Sequence, residues 1–83
     1  MKVEILSPEK KVFSGDADSV QFPGTTGAFQ VLNNHAPLIA SLKAGKIKLI
    51  AGKETRYFSV KGGFVEVLKN NVSVLVEGVK EEK

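Results

Sequence analysis

Apolar and polar residues alternate along much of this chain, and that period of two constrains its fold more tightly than any other feature. The pattern opens at Val20-Gln21-Phe22, and in Lys46-Ile47-Lys48-Leu49-Ile50 it sets two lysines on one face and apolar side chains on the other. Tyr57-Phe58-Ser59-Val60-Lys61, Phe64-Val65-Glu66-Val67 and Val72-Ser73-Val74-Leu75-Val76 continue it. Successive side chains of an extended strand point to opposite faces, so these stretches predict half-buried strands. Their β-branched and aromatic residues suit a pleated surface. Turn signals part them at roughly the eight-to-twelve-residue spacing of a sandwich or barrel: Ser7-Pro8, Ser14-Gly15-Asp16, Pro23-Gly24, Asn33-Asn34, Ala44-Gly45, Ala51-Gly52-Lys53, Gly62-Gly63 and Asn70-Asn71. Glycine and asparagine accept the positive φ of tight hairpins. The expected class is all-β. Only Pro37 to Lys43 approaches a helical stripe, through Leu38, Ile39 and Leu42, and one or two turns are expected there. Lys80-Glu81-Glu82-Lys83 reads as a charged tail that frays or begins a short helix, which places a sandwich domain at 1–78 and the tail at 79–83.

Size and composition narrow what such a domain can do. With 83 residues the chain forms one domain, burying about 60–65% of its unfolded surface. It has no cysteine, so disulfides and thiolate metal sites are excluded. No apolar run approaches the roughly eighteen residues of a membrane-spanning helix, and Met1-Lys2-Val3-Glu4 lacks a signal-peptide core, so the mature chain is expected to begin near Met1. The net charge of +3 comes from lysines dispersed among acids, the pattern of a solvated surface. Nucleic-acid binding by an OB-like barrel, the alternative function, calls for a concentrated basic face with clustered aromatics. Phe13, Phe22, Phe29, Tyr57, Phe58 and Phe64 are instead scattered over different strands, as core residues are. Phe29 is the exception, following Gly24-Thr25-Thr26-Gly27-Ala28 and expected to be exposed at the end of that loop.

No candidate chemistry assembles. Asp16 and Asp18 share a face, but general acid–base work or cation binding needs more converging ligands. Gly52-Lys53-Glu54-Thr55 lacks the correctly spaced preceding glycine of a phosphate loop, and Glu54 would repel the ligand. His35 has no second histidine, cysteine or paired nucleophile. It sits in Asn33-Asn34-His35-Ala36-Pro37, where the amides favour a turn and the proline holds Ala36 extended, so the segment predicts a fixed corner braced by the imidazole. A carrier domain of the lipoyl or biotinyl type would display Asp-Lys-Ala or Met-Lys-Met, and neither occurs. No cofactor and no metal are expected.

Taken in order, the punctuating segments resemble one family. Ser7-Pro8-Glu9, Val12-Phe13-Ser14-Gly15, Val20 to Phe29, His35-Ala36-Pro37-Leu38, Leu42-Lys43-Ala44-Gly45, Gly62 to Val67 and Asn71 to Leu75 look like the N-terminal β-sandwich of the F-type ATP synthase epsilon subunit, the delta subunit of mitochondria. The resemblance covers nearly the whole chain in register. It implies a flattened two-sheet antiparallel sandwich of about ten short strands, a number of ordinary size for a sheet protein.

The resemblance also implies a non-catalytic rotor part that binds the gamma subunit, rests on the polar loops of the c-ring, and passes ring rotation to a stalk whose ATP chemistry lies on alpha and beta subunits. Membrane contact comes only through the complex, at the cytoplasmic face of a bacterial inner membrane or the stromal face of a thylakoid. By the family pattern Thr25, Thr26, Gly27, Ala28, Phe29 and His35 face the c-ring, and Ser7, Ala36, Ala40 and Tyr57 face gamma. Departures are visible. Gly27-Ala28-Phe29-Gln30 lacks the family's acidic residue, Asn33-Asn34-His35 replaces Pro-Gly-His, and the two-helix C-terminal domain that carries inhibition of ATP hydrolysis in most members has no counterpart in this sequence.

Overall fold

A computed structural model describes residues 1–82, and every regular element in it is a strand. The order is β1 (Lys2–Leu6), β2 (Lys11–Asp16), β3 (Ser19–Gly24), β4 (Gly27–Leu32), β5 (Leu38–Leu42), β6 (Gly45–Ala51), β7 (Glu54–Val60), β8 (Gly62–Leu68), β9 (Asn71–Glu77) and β10 (Lys80–Glu82). All ten belong to one hydrogen-bonded sheet of order β10-β7-β6-β3-β5-β8-β9-β1-β2, with β4 on the other edge of β3. The sheet curls over on itself, so that β4-β3-β6-β7-β10 lies on one side of the core and β5-β8-β9-β1-β2 on the other. The corner is narrow: β3 meets β5 only at Gly24 and Leu42.

The alternation explains the layers. Val72, Val74 and Val76 of β9 are buried while Asn71, Ser73, Leu75 and Glu77 are exposed. Val65 and Val67 of β8, Ile47 and Leu49 of β6, and Val3 and Ile5 of β1 supply further inward rows, with Phe22 and Phe58 the largest fully buried side chains. At the free ends of the sheet, Phe13 of β2 meets Phe58 of β7 edge-on with centroids 6.1 Å apart. That contact closes the curl.

Four expectations need correction. The sheet is mixed, because β1 runs parallel to β9 from Lys2↔Asn71 to Leu6↔Leu75; no hairpin joins these two, so turn spacing carries no signal for their direction. Within Pro37 to Lys43 the regular element is a strand, since Leu38–Leu42 pairs residue by residue with β8 and buries Leu42. The tail is strand as well, with Lys80–Glu82 paired to Ser59, Phe58 and Tyr57; the free edge of β7 offers backbone partners, and side chains of Arg56, Ser59 and Lys46 hold both glutamates. Lys83 lies outside the described residues. Phe29 is half-buried rather than an exposed tip, stacked 5.4 Å from Phe22 across the β3–β4 pair.

Candidate interaction surface

The register sets an apolar row on the outside of the β5-β8-β9-β1 layer. Ser41 pairs with Phe64, Phe64 with Leu75, and Leu75 with Leu6, so these side chains stand in line across four strands. Phe64 is 43% exposed and Leu75 55%, while Ile39, one inward–outward repeat along β5 from Ser41, is 64% exposed. Leu6, Ser7, Pro8, Gly63, Phe64 and Leu75 line a shallow groove of about 410 Å³ along this row. Gly63 must lack a side chain, since a Cβ there would lie 2.4 Å from the Leu75 carbonyl oxygen. Sequence reasoning missed this row: the sequence groups Phe64 with the core aromatics, and nothing in it aligns that residue with Leu75 and Leu6 until the strands are paired.

A second concavity, of about 590 Å³, opens between the β3–β4 hairpin and β5. Its rim holds Thr25, Thr26, Gly27 and Ala28, and the Thr25 and Ser41 hydroxyls lie 2.9 Å apart across it. Thr25 N–H also donates to Ser41 O at 3.1 Å, so the hairpin tip is tied to the opposite layer.

His35 sits at the other end of β4 from that tip. The six-residue strand holds the two about 17–20 Å apart at strand rise, so the predicted ring-facing set divides into two places. The corner is braced by amides, and the imidazole adds a backbone hydrogen bond of the kind expected of it. Asn33 Oδ1 accepts from the Met1 ammonium, and Asn34 N–H donates to Asn70 Oδ1 at 2.8 Å. His35 Nδ1–H reaches only the adjacent Ala36 carbonyl, at 2.7 Å. The predicted gamma-facing residues are also dispersed. Ser7 lies in the apolar groove, Ala36 at the corner, and Ala40 packs partly against the core opposite Val65. Tyr57, on β7 in the other layer, stands beside Lys48 and Glu82.

Charge is organised at the closing seam. The Arg56 guanidinium donates two hydrogen bonds to Glu81, at 2.7 and 2.8 Å, and lies 4.8 Å from the Phe13 ring centroid and 5.7 Å from that of Phe58. The hydrogen bond to Glu81 raises the Arg56 pKa further above neutrality. Hydrogen bonds from Ser59 and then Lys46 lower that of Glu82. Among the described residues no group of three or more His, Asp or Glu side chains is placed to hold a metal ion.

Comparison with known proteins decides the family. Residues 1–82 match the model of the ATP synthase delta/epsilon chain, beta-sandwich domain. The chain belongs to this delta/epsilon β-sandwich family. It is 43% identical over 77 residues to the ATP synthase epsilon chain of Leptospira interrogans, covering 93% of this chain and 61% of that one. It is 44% identical over 79 residues to the epsilon chain of Chlorobium limicola, covering 94% and 90%. The chain thus spans about six-tenths of the first relative and nine-tenths of the second. A chain in the central stalk and c-ring structure of the Tetrahymena thermophila mitochondrial ATP synthase superposes with a TM-score of 0.84 at 19% identity, over 95% of this chain and 64% of that chain. A Euglena gracilis mitochondrial ATP synthase chain gives 0.89 at 15% identity, over 95% and 51%. Both share this fold.

Proposed function

We propose that this chain is the sandwich of a non-catalytic central-stalk subunit of a proton-translocating F-type ATP synthase. It binds gamma, rests on the polar loops of the c-ring, and transmits ring rotation to the stalk. The complex places it at the cytoplasmic face of a bacterial inner membrane, with a thylakoid as the plastid equivalent. Family membership supports the assembly, and the outward row of half-buried Leu6 with exposed Phe64 and Leu75 is the observation that carries the gamma contact. Contiguous apolar surface of this kind marks a docking site, and in this chain it lies on one outer face with Ser7 in the same groove. Ala36 and His35 border that layer at the corner, since Leu38 opens β5 just beyond them. The hairpin tip from Thr25 to Ala28 serves the ring at the far end of β4, where small and hydroxyl side chains suit a polar loop.

The test is co-elution with gamma at micromolar concentration, which this reading predicts to survive added salt because the contact is apolar. Replacing Phe64 and Leu75 together with threonine is expected to weaken gamma binding at least 100-fold, the loss of about 3 kcal/mol, with the chain still folded because both positions face outward and threonine suits paired strands. A wild-type chain that fails to co-elute with gamma would falsify the proposal.

A further inference from the structure

Charge is not shared evenly between the two outer faces of the folded sheet. The outward positions of β6, β7 and β10 carry Lys46, Lys48 and Lys80 against Glu82 alone. Those of β8, β9, β1 and β2 carry Glu4, Asp16, Glu66 and Glu77 against Lys2 and Lys11. The whole chain has a net charge of +3, yet the face that holds the apolar row is the acidic one.

Two of its carboxylates bracket that row. Phe64 lies opposite Leu75; one repeat to one side Glu66 lies opposite Ser73, and one repeat to the other side Glu77 lies opposite Gly62. At strand rise the two acidic positions stand about 14 Å apart, with the row between them. Both are exposed, and Glu77 borders the groove, left open by the missing side chain of Gly62. Among the described residues neither takes part in an ion pair: Lys11 engages Glu4, Lys46 engages Glu82 and Arg56 engages Glu81. Lys61, whose N–H donates to the Glu77 carbonyl at 2.9 Å, runs its side chain over Gly78. The backbone offers a partner nothing here, because β8, β9 and β1 are each paired with a strand on both sides. Recognition on this face is therefore a matter of side chains.

Complementary charge around an apolar contact speeds encounter and rejects wrong partners. We propose that Glu66 and Glu77 form a charge clamp on either side of the Phe64–Leu75 row, selecting a cationic amphipathic segment of gamma. Apolar side chains at the centre of that segment cover Leu6, Phe64 and Leu75, and a lysine or arginine on each side meets a carboxylate. The inference rests on the function proposed above and names the chemistry of the gamma surface that fits this site. The two kinds of contact divide the work. Apolar burial holds the complex once formed and resists salt. Exposed carboxylates act over the roughly 8–10 Å that charge reaches at physiological salt, and they govern arrival.

Stopped-flow association of the whole chain with purified gamma, across a salt series, tests it. The association rate is expected to fall about tenfold from low to high ionic strength while the dissociation rate holds. Glu66→Gln with Glu77→Gln keeps the side-chain shape, and it is expected to slow association about fivefold at low salt and to flatten the salt dependence. Glu54→Gln removes one such charge from the other layer and is expected to leave the rate within about twofold, which separates a local effect from one of net charge. Wild-type association by the double variant at low salt overturns the clamp and leaves the proposed function standing. Faster association by it shows an acidic partner segment and overturns the clamp too. If gamma does not bind at all, both readings fall. A free chain of dimeric mass that becomes monomeric on Phe64→Thr with Leu75→Thr shows the occupant to be a second copy, and the inference is then wrong.

Discussion

At the corner that follows β4, amide side chains join separate turns while the imidazole bonds its neighbouring carbonyl. Asn70 lies in the β8–β9 turn with φ of 63°, beside Lys69 at 50°, and Asn34 has φ of 61°. The Asn70 carboxamide joins the two turns through Asn34 N–H. Replacing Asn70 with glycine keeps the left-handed backbone accessible and deletes only that bond. It is expected to cost about 1 kcal/mol in denaturant unfolding. His35→Ala, whose one side-chain hydrogen bond goes to a neighbouring carbonyl, is expected to stay within about 0.5 kcal/mol of the parent chain. Comparable losses for the two variants would show the imidazole to brace the corner as strongly as the amides do. A contrast of larger size lies at Gly63. Any side chain there meets the Leu75 carbonyl, a backbone atom that cannot swing aside, and Gly63→Ala should cost about 2–3 kcal/mol through overpacking, read as a lowered denaturant midpoint.

Strands are legible in a sequence where one face meets a core and the other meets water, and β6, β7, β8 and β9 satisfy that condition. The alternation in Val72-Ser73-Val74-Leu75-Val76 is the clearest instance. β5 and β10 hide from such reasoning for different reasons. Leu38-Ile39-Ala40-Ser41-Leu42 carries Ile39 on its outer face, so polar alternation is broken and a helical spacing emerges by accident. Lys80-Glu81-Glu82 has no apolar residue at all, and it pairs because β7 presents an edge that only the folded sheet creates. Electrostatics then hold it. The Glu82 pKa lies below its ordinary 4.5 because Ser59 and Lys46 stabilise the carboxylate. A carboxyl depressed in the folded state contributes its stabilisation above the unfolded pKa and loses it as pH falls through the folded one. β10 is therefore expected to loosen as pH drops below about 4.5, before the rest of the sheet responds. Cα chemical shifts of Lys80–Glu82 moving toward coil values, while those of β9 hold, would be the signature. Unchanged β10 shifts down to global unfolding would mean that the backbone ladder alone retains the strand.

At the scale of the whole molecule, a single sheet becomes a two-layered body through one narrow corner and one side-chain seam. The corner is Gly24 against Leu42, and the seam is Phe13 against Phe58 with Arg56 lying over both rings. Class and strand-rich size were legible, and so was the family, because the ordered turn motifs from Ser7-Pro8-Glu9 to Asn71–Leu75 carry the resemblance. The interaction surface was not. Alternation turns Phe64 outward with Glu66, but that it stands in line with Leu75 and Leu6 is a property of register across strands far apart in the chain. Closure makes a global prediction. If the seam only decorates a sheet already fixed by its hydrogen bonds, truncating Phe13 will hardly matter. If the seam holds the curl, Phe13→Ala costs both layers together. A half-buried phenylalanine is expected to lose about 2 kcal/mol, roughly half the fully buried figure, which lowers Tm by about 8–16 °C in a domain this small. Far-UV circular dichroism and the fluorescence of the lone tyrosine, Tyr57 on β7, should then trace one coincident transition. Tyrosine fluorescence changing well before the dichroism would show the β6-β7-β10 layer peeling away by itself, and the seam would no longer explain why the two layers act as one body.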